Sequence, residues 1–143
     1  MKNLKLYNIV IGYMLIYSLL ILLSGVWLFF RSQGVEAFDD ILKIITHPAS
    51  KSLHNIIEIL TPHIFAMGLL IFIVAHFLLF SIKIKQKQTI IVTLWLLFFM
   101  LLNNSIYIFI SIELISSGLI KLISLFGFVF LFILLLVMVW VSL

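Results

Sequence analysis

The chain has 143 residues, 65% of them hydrophobic and only 10% charged, with a net charge of +4. Soluble domains carry about 25% charged residues, so this composition excludes an ordinary water-soluble globule. The lack of cysteine excludes disulfides, thiolate metal sites and cysteine nucleophiles. The scattered lysines form no cluster able to follow a phosphate backbone, so no nucleic-acid partner is expected.

Four apolar runs, 6–30, 62–82, 89–112 and 119–142, dominate the chain. Each is long enough to cross a bilayer, because about 20 helical residues span roughly 30 Å of hydrocarbon. Backbone groups in lipid must be satisfied within each segment, and the alternation of a membrane barrel strand is missing. The expected fold is therefore all-α: a single domain over 1–143, a polytopic four-transmembrane-helix bundle. The first run follows Lys2 and Lys5 but is too long for a signal peptide and lacks a small-residue cleavage site, so it reads as a retained anchor.

Segment 31–61 is the one sizeable external connection. Within it Phe38, Ile41, Leu42 and Ile45 recur at helical spacing opposite Asp39, Asp40 and Lys43. That pattern predicts a short amphipathic helix lying on the outer membrane face. Residues 52–60 again read as helical. Thr61-Pro62 then suits a cap and first turn opening the second span, the alternative being one long helix kinked at Pro62. The connections at 83–88 and about 113–118 are short, which makes the second and third spans, and the third and fourth, antiparallel neighbours.

Charge sets the expected orientation. Lys2 and Lys5 precede the first span, and Lys83, Lys85 and Lys87 fill the loop after the second, with no acidic companions. Glu36, Asp39, Asp40, Glu58 and Glu113 all lie in the other two connections. The positive-inside rule places both termini in the cytoplasm, in a protein of the bacterial inner (cytoplasmic) membrane.

Polar residues inside the spans are few. On the third span Thr93, Leu97, Met100, Asn104, Tyr107 and Ser111 share one stripe, which should face other helices. Counting inward from the cytoplasmic side puts Asn103 and Asn104 at about the depth of Ser24, Gly25, Gly68 and Gly127. Such glycines permit close backbone approach, and the amides can bridge helices. Ser24, Asn103, Asn104 and Tyr107 thus define either packing contacts or a polar pocket able to hold a ligand head group.

All four histidines lie in or just before the second span. His54 and Glu58 are one turn apart, and with His47 they form a conceivable zinc or copper site, although their spacing matches no helical metal motif. His63 falls at the outer interface. His76 lies about two turns from the cytoplasmic end, where an ionisable group is a functional candidate and is expected to be buried and neutral.

Two histidines on one span, one toward each membrane face, resemble the arrangement in four-helix membrane b-type cytochrome subunits. The resemblance implies haem b as cofactor, with His63 near an outer haem and His76 near an inner one. The other spans contain no histidine, so Met14, at about the depth of His76, would supply the inner axial partner, and His47 or His54 folding inward the outer one.

Two functions are carried forward. One is a small, non-enzymatic integral membrane subunit, anchor or assembly partner of a larger complex, docking a membrane or external protein, or a second copy of itself. The alternative is a haem-bearing electron carrier between a quinone and an external redox partner. The scarcity of catalytic residues favours the first; a reduced haem absorption band would favour the second.

Overall fold

The structure is a computed structural model, and it describes residues 2–34, 41–48 and 52–143. Five helices follow one another: α1 (Lys2–Ser32), α2 (Ile41–Thr46), α3 (Leu53–Leu79), α4 (Gln86–Ser111) and α5 (Leu119–Ser142). Helices α1, α3, α4 and α5 each contain a stretch long and apolar enough to cross a membrane, and no strand occurs among the described residues. The all-α, four-span bundle is the fold. A small integral membrane protein is what such a bundle makes.

The helix ends follow local chemistry. α1 stops at Gly34, whose φ of +69° suits a residue without Cβ, while Gln33 N–H donates to the Phe29 carbonyl at 3.2 Å. α4 closes in a similar way without a glycine: Glu113 takes φ 58° and Leu114 N–H reaches back to the Phe109 carbonyl at 2.9 Å. The left-handed conformation costs a residue with a Cβ roughly 1–2 kcal/mol.

The second span begins earlier than the sequence predicts. Ser52, not Thr61, is the N-cap of α3, accepting from Asn55 N–H at 3.4 Å. The Thr61 hydroxyl instead donates to the Ile57 carbonyl at 2.8 Å, inside a continuous helix. Pro62 lies within that helix, the arrangement of the single long helix. Its ring nitrogen carries no proton, so the Glu58 carbonyl loses its helical donor there.

α5 is the hub, packing against α4, α3, α1 and α2. Phe132, Leu135 and Val139 of α5 meet Ile71, Val74 and Leu78 of α3 and Leu96 of α4 in a fully buried core. Gly127 marks the tight α4–α5 seam, because a Cβ there would stand 2.6 Å from the Phe99 ring. Neither Gly25 nor Gly68 serves a comparable approach: nothing lies within 4 Å of a Cβ at Gly25, and only Met100 Cε, at 4.0 Å, at Gly68. α1 leans on α5, and its Tyr13, Tyr17 and Trp27 face outward.

The short helix α2 packs against the end of α5. Ile44 of α2 is buried in a cluster with Phe29, Leu122 and Leu125, at the end of the bundle that the charge pattern leads one to expect as the outer one, while Leu42 is exposed. Gly118 N–H donates to the Ile45 carbonyl at 3.0 Å. A Cβ on Gly118 would overlap the Ile44 carbonyl, so only glycine admits this approach. Burial of one isoleucine contributes roughly 1.5–3 kcal/mol relative to exposure, which favours docking of the six-residue helix on the bundle. Phe38, Asp39 and Asp40, which shape the amphipathic pattern, lie outside the described residues.

Candidate functional site

Below the docked α2, all four long helices line a cavity of about 370 Å³. α1 supplies Gly25 and Phe29, α3 supplies His63 and Met67, α4 supplies Asn103, Asn104 and Tyr107, and α5 supplies Phe128. The space exists because α1 packs on α5 without an extended contact to α3, and because Gly25 brings no side chain to fill the gap.

Most of the polar groups come from α4. Its stripe from Thr93 to Ser111 faces the other helices: Met100 and Asn104 are buried, and Thr93, Leu97, Tyr107 and Ser111 half-buried. Asn104 is 4% exposed, and its Nδ2 has no hydrogen-bond partner among the described residues. An unmet amide donor in an apolar interior costs about 1–3 kcal/mol. Its neighbour is better served, since Asn103 Oδ1 lies 3.2 Å from Ser124 Oγ. That hydroxyl is also 2.9 Å from the Lys121 carbonyl and has one proton for two acceptors. Turning the Asn103 amide over lets it donate to Ser124 while Ser124 donates to Lys121.

Lys121 is the residue that sequence reasoning missed. It is fully buried in the first turn of α5. Its ammonium stands 3.6 Å from the centroid of the Tyr107 ring and 5.3 Å from that of Phe29. The negative faces of those rings attract the cation in place of water. A signal was present: position 121 lies inside the apolar run 119–142, not between runs.

Ser24 does not join the cavity; it is exposed, and its hydroxyl donates to the Ile21 carbonyl at 2.8 Å. His63 lines the cavity while remaining exposed on its open side. His76, expected to be buried, is exposed on the outside of α3, where its ring stacks on Phe72 at 5.8 Å and meets Phe80 edge-on at 5.0 Å. It borders a second cavity of about 350 Å³ between α3 and α4.

The haem ligand set expected from the resemblance is not assembled. Met14 packs against the main core and lines neither cavity, and the cavity beside His76 offers no second imidazole or thioether. In the outer cavity His63 and Met67 are one turn apart on the same helix, so they approach from one side, whereas axial ligands take opposite faces of the macrocycle. His47 Nδ1 lies 3.0 Å from Thr46 Oγ1, and His54 and Glu58 are exposed on α3. Among the described residues, no three His, Cys, Asp or Glu side chains come together to hold a metal.

The outer cavity is thus a small apolar chamber with amide and phenol groups from α4 and an imidazole from α3 on its lining. It can hold and orient a molecule by hydrogen bonds. No curated protein and no solved structure matches the chain. A family of transmembrane helical domains does match, over residues 39–143, a region that takes in α2 to α5 and leaves α1 outside. The chain belongs to that family, the Aq_1264_TM transmembrane helical domains.

Proposed function

We propose that this membrane protein is a non-enzymatic subunit that holds the polar end of a neutral amphiphile in the outer half of its bundle. The observation that carries this reading is the unmet amide donor of buried Asn104 beside a cavity lined by all four long helices. The terminal torsion of asparagine is soft, so a bound carbonyl oxygen can recruit that amide. Phe29, Met67 and Phe128 supply apolar walls for the body of the molecule. The polar groups on the wall, Asn103, Asn104, Tyr107 and His63, favour a head group rich in carbonyls over one carrying phosphate. Holding such a molecule suits an anchor or assembly partner in a larger membrane complex.

Extraction of the protein purified in mild detergent, followed by mass spectrometry, tests this. The expected result is one neutral amphiphile retained per chain and lost in Asn104→Leu with helicity unchanged. An Asn104→Leu protein that retains as much ligand as the parent would sink the reading.

The orientation belongs to the same proposal. Lys83, Lys85 and Lys87, all exposed, lie in the α3–α4 connection and the first turn of α4 with no acidic residue nearby in sequence, which supports a cytoplasmic α3–α4 connection and external α2. A reporter fused after Leu143 and active only outside the cytoplasm should stay silent; activity in a folded fusion reverses the orientation.

A further inference from the structure

The second cavity, at the opposite end of the bundle, has a different chemistry. It runs between α3 and α4 from Leu79 and Thr89 near their connection to Gly68 and Leu97 toward mid-bundle. At 1.5 Å per residue this is about 12–16 Å, roughly the depth of one hydrocarbon leaflet. Its polarity is graded along that length. His76 and Thr89 stand near the mouth with Thr93 behind them, and Gly68, Ile71 and Leu97 form the deep end.

Two further features converge on the mouth. The hydroxyls of Thr89 and Thr93 are buried without a hydrogen-bond partner, although a helical threonine can return its proton to the carbonyl one turn earlier. The first turn of α4 has no side-chain cap, and its N-cap residue is Lys85. Lys83, Lys85 and Lys87 are all exposed around it, and no acidic residue occurs in the sequence between Glu58 and Glu113. An uncapped helix N-terminus flanked by three lysines is favourable for an anion.

We propose that this groove is a binding site for an anionic phospholipid, separate from the outer cavity. The phosphate lies at the start of α4 among Lys83, Lys85 and Lys87. The ester oxygens accept hydrogen bonds from Thr89 and Thr93 once a χ1 rotation turns their hydroxyls into the groove, and one acyl chain follows Phe72 to Gly68. The graded polarity separates this occupant from a free anion, which would use the mouth alone. The lysines separate it from a zwitterionic lipid, because each lysine near an anionic head group contributes about a fivefold gain in binding.

The test uses the full chain, delipidated in detergent and supplied with phosphatidylglycerol, phosphatidylcholine or inorganic phosphate. Retention is read by native mass spectrometry and the melting temperature is followed in parallel. Phosphatidylglycerol should be retained at one per chain and raise the melting temperature by several degrees, with phosphatidylcholine and phosphate each giving much less. Changing Lys83, Lys85 and Lys87 together to Gln should weaken phosphatidylglycerol binding by about tenfold or more. The near-isosteric pair Thr89→Val and Thr93→Val should weaken it several-fold without lowering the melting temperature of the lipid-free protein. Gly68→Leu, which fills the deep end, should block the acyl chain. Equal retention of the two lipids, phosphate stabilising as well as phosphatidylglycerol, or undiminished binding in both the valine pair and Gly68→Leu would overturn the proposal.

Discussion

The two ends of this bundle solve the same problem differently. At the outer end a polar set, with Asn104 and Lys121 buried and Asn103 and Tyr107 half-buried, is held among the long helices beside the docked α2. At the other end two helices leave a groove, and the charges remain outside it on an exposed loop. The outer end therefore depends on tertiary contacts to tolerate its polar groups. The other end depends on its surroundings, because exposed lysines and an exposed His76 need little from the rest of the fold. Substitutions at the outer end should consequently cost stability, while those at the other end should change what binds.

The sharpest way to break that contrast is Gly118→Ala. The new methyl group would occupy the position of the Ile44 carbonyl, and neither backbone can yield without undocking α2. A loss of about 2–3 kcal/mol is expected, with faster proteolysis of the segment around α2. A parent-like melting curve and unchanged proteolysis would show that the docking of α2 contributes nothing. A smaller effect is expected from Tyr107→Leu, which removes the ring nearest the Lys121 ammonium and should cost about 1–2 kcal/mol. Tyr107→Phe keeps the ring face and should cost less than Tyr107→Leu. If both variants melt alike, the cation is held by other groups. The smallest pair compares two glycines between the ends. Gly127→Ala should cost about 1 kcal/mol because the Phe99 ring must move, while Gly68→Ala should gain up to about 1 kcal/mol of helix propensity. Reversal of that order by thermal denaturation in detergent would misplace the tight α4–α5 seam.

The spans could be read from sequence because length and apolarity suffice to define them. Their rotations could not. A helix apolar on every side offers no stripe to tell which face meets a neighbour, so His76 was expected inside and stands outside. The α4 stripe was legible because it carries polar residues at three-and-four spacing, and Asn103, Asn104 and Tyr107 do line one cavity. The start of α3 is ambiguous in sequence because Thr61-Pro62 has the composition of a helix start, and the structure takes the alternative of one long helix running through it. Lys121 shows a different limit. A lysine near a span end ordinarily extends its stem to the interface; its place inside the run 119–142 hints at burial, and the positions of Tyr107 and Phe29 show what holds it there. Gly118 carried no readable signal, since its reason for being glycine lies seventy-odd positions earlier in the chain, at Ile44.

That last contact also orders events during synthesis. The Ile45 carbonyl and the Gly118 amide belong to segments that leave the ribosome far apart in time, with α3 and α4 made between them. Until α5 enters the membrane, Ile44 has neither Leu122 nor Leu125 to pack against, and α2 stays undocked. Closure of α2 is therefore a late step that registers the arrival of the final helix. With protease admitted to both sides of the membrane, a nascent chain lacking α5 should be cut near α2 more readily than a finished one.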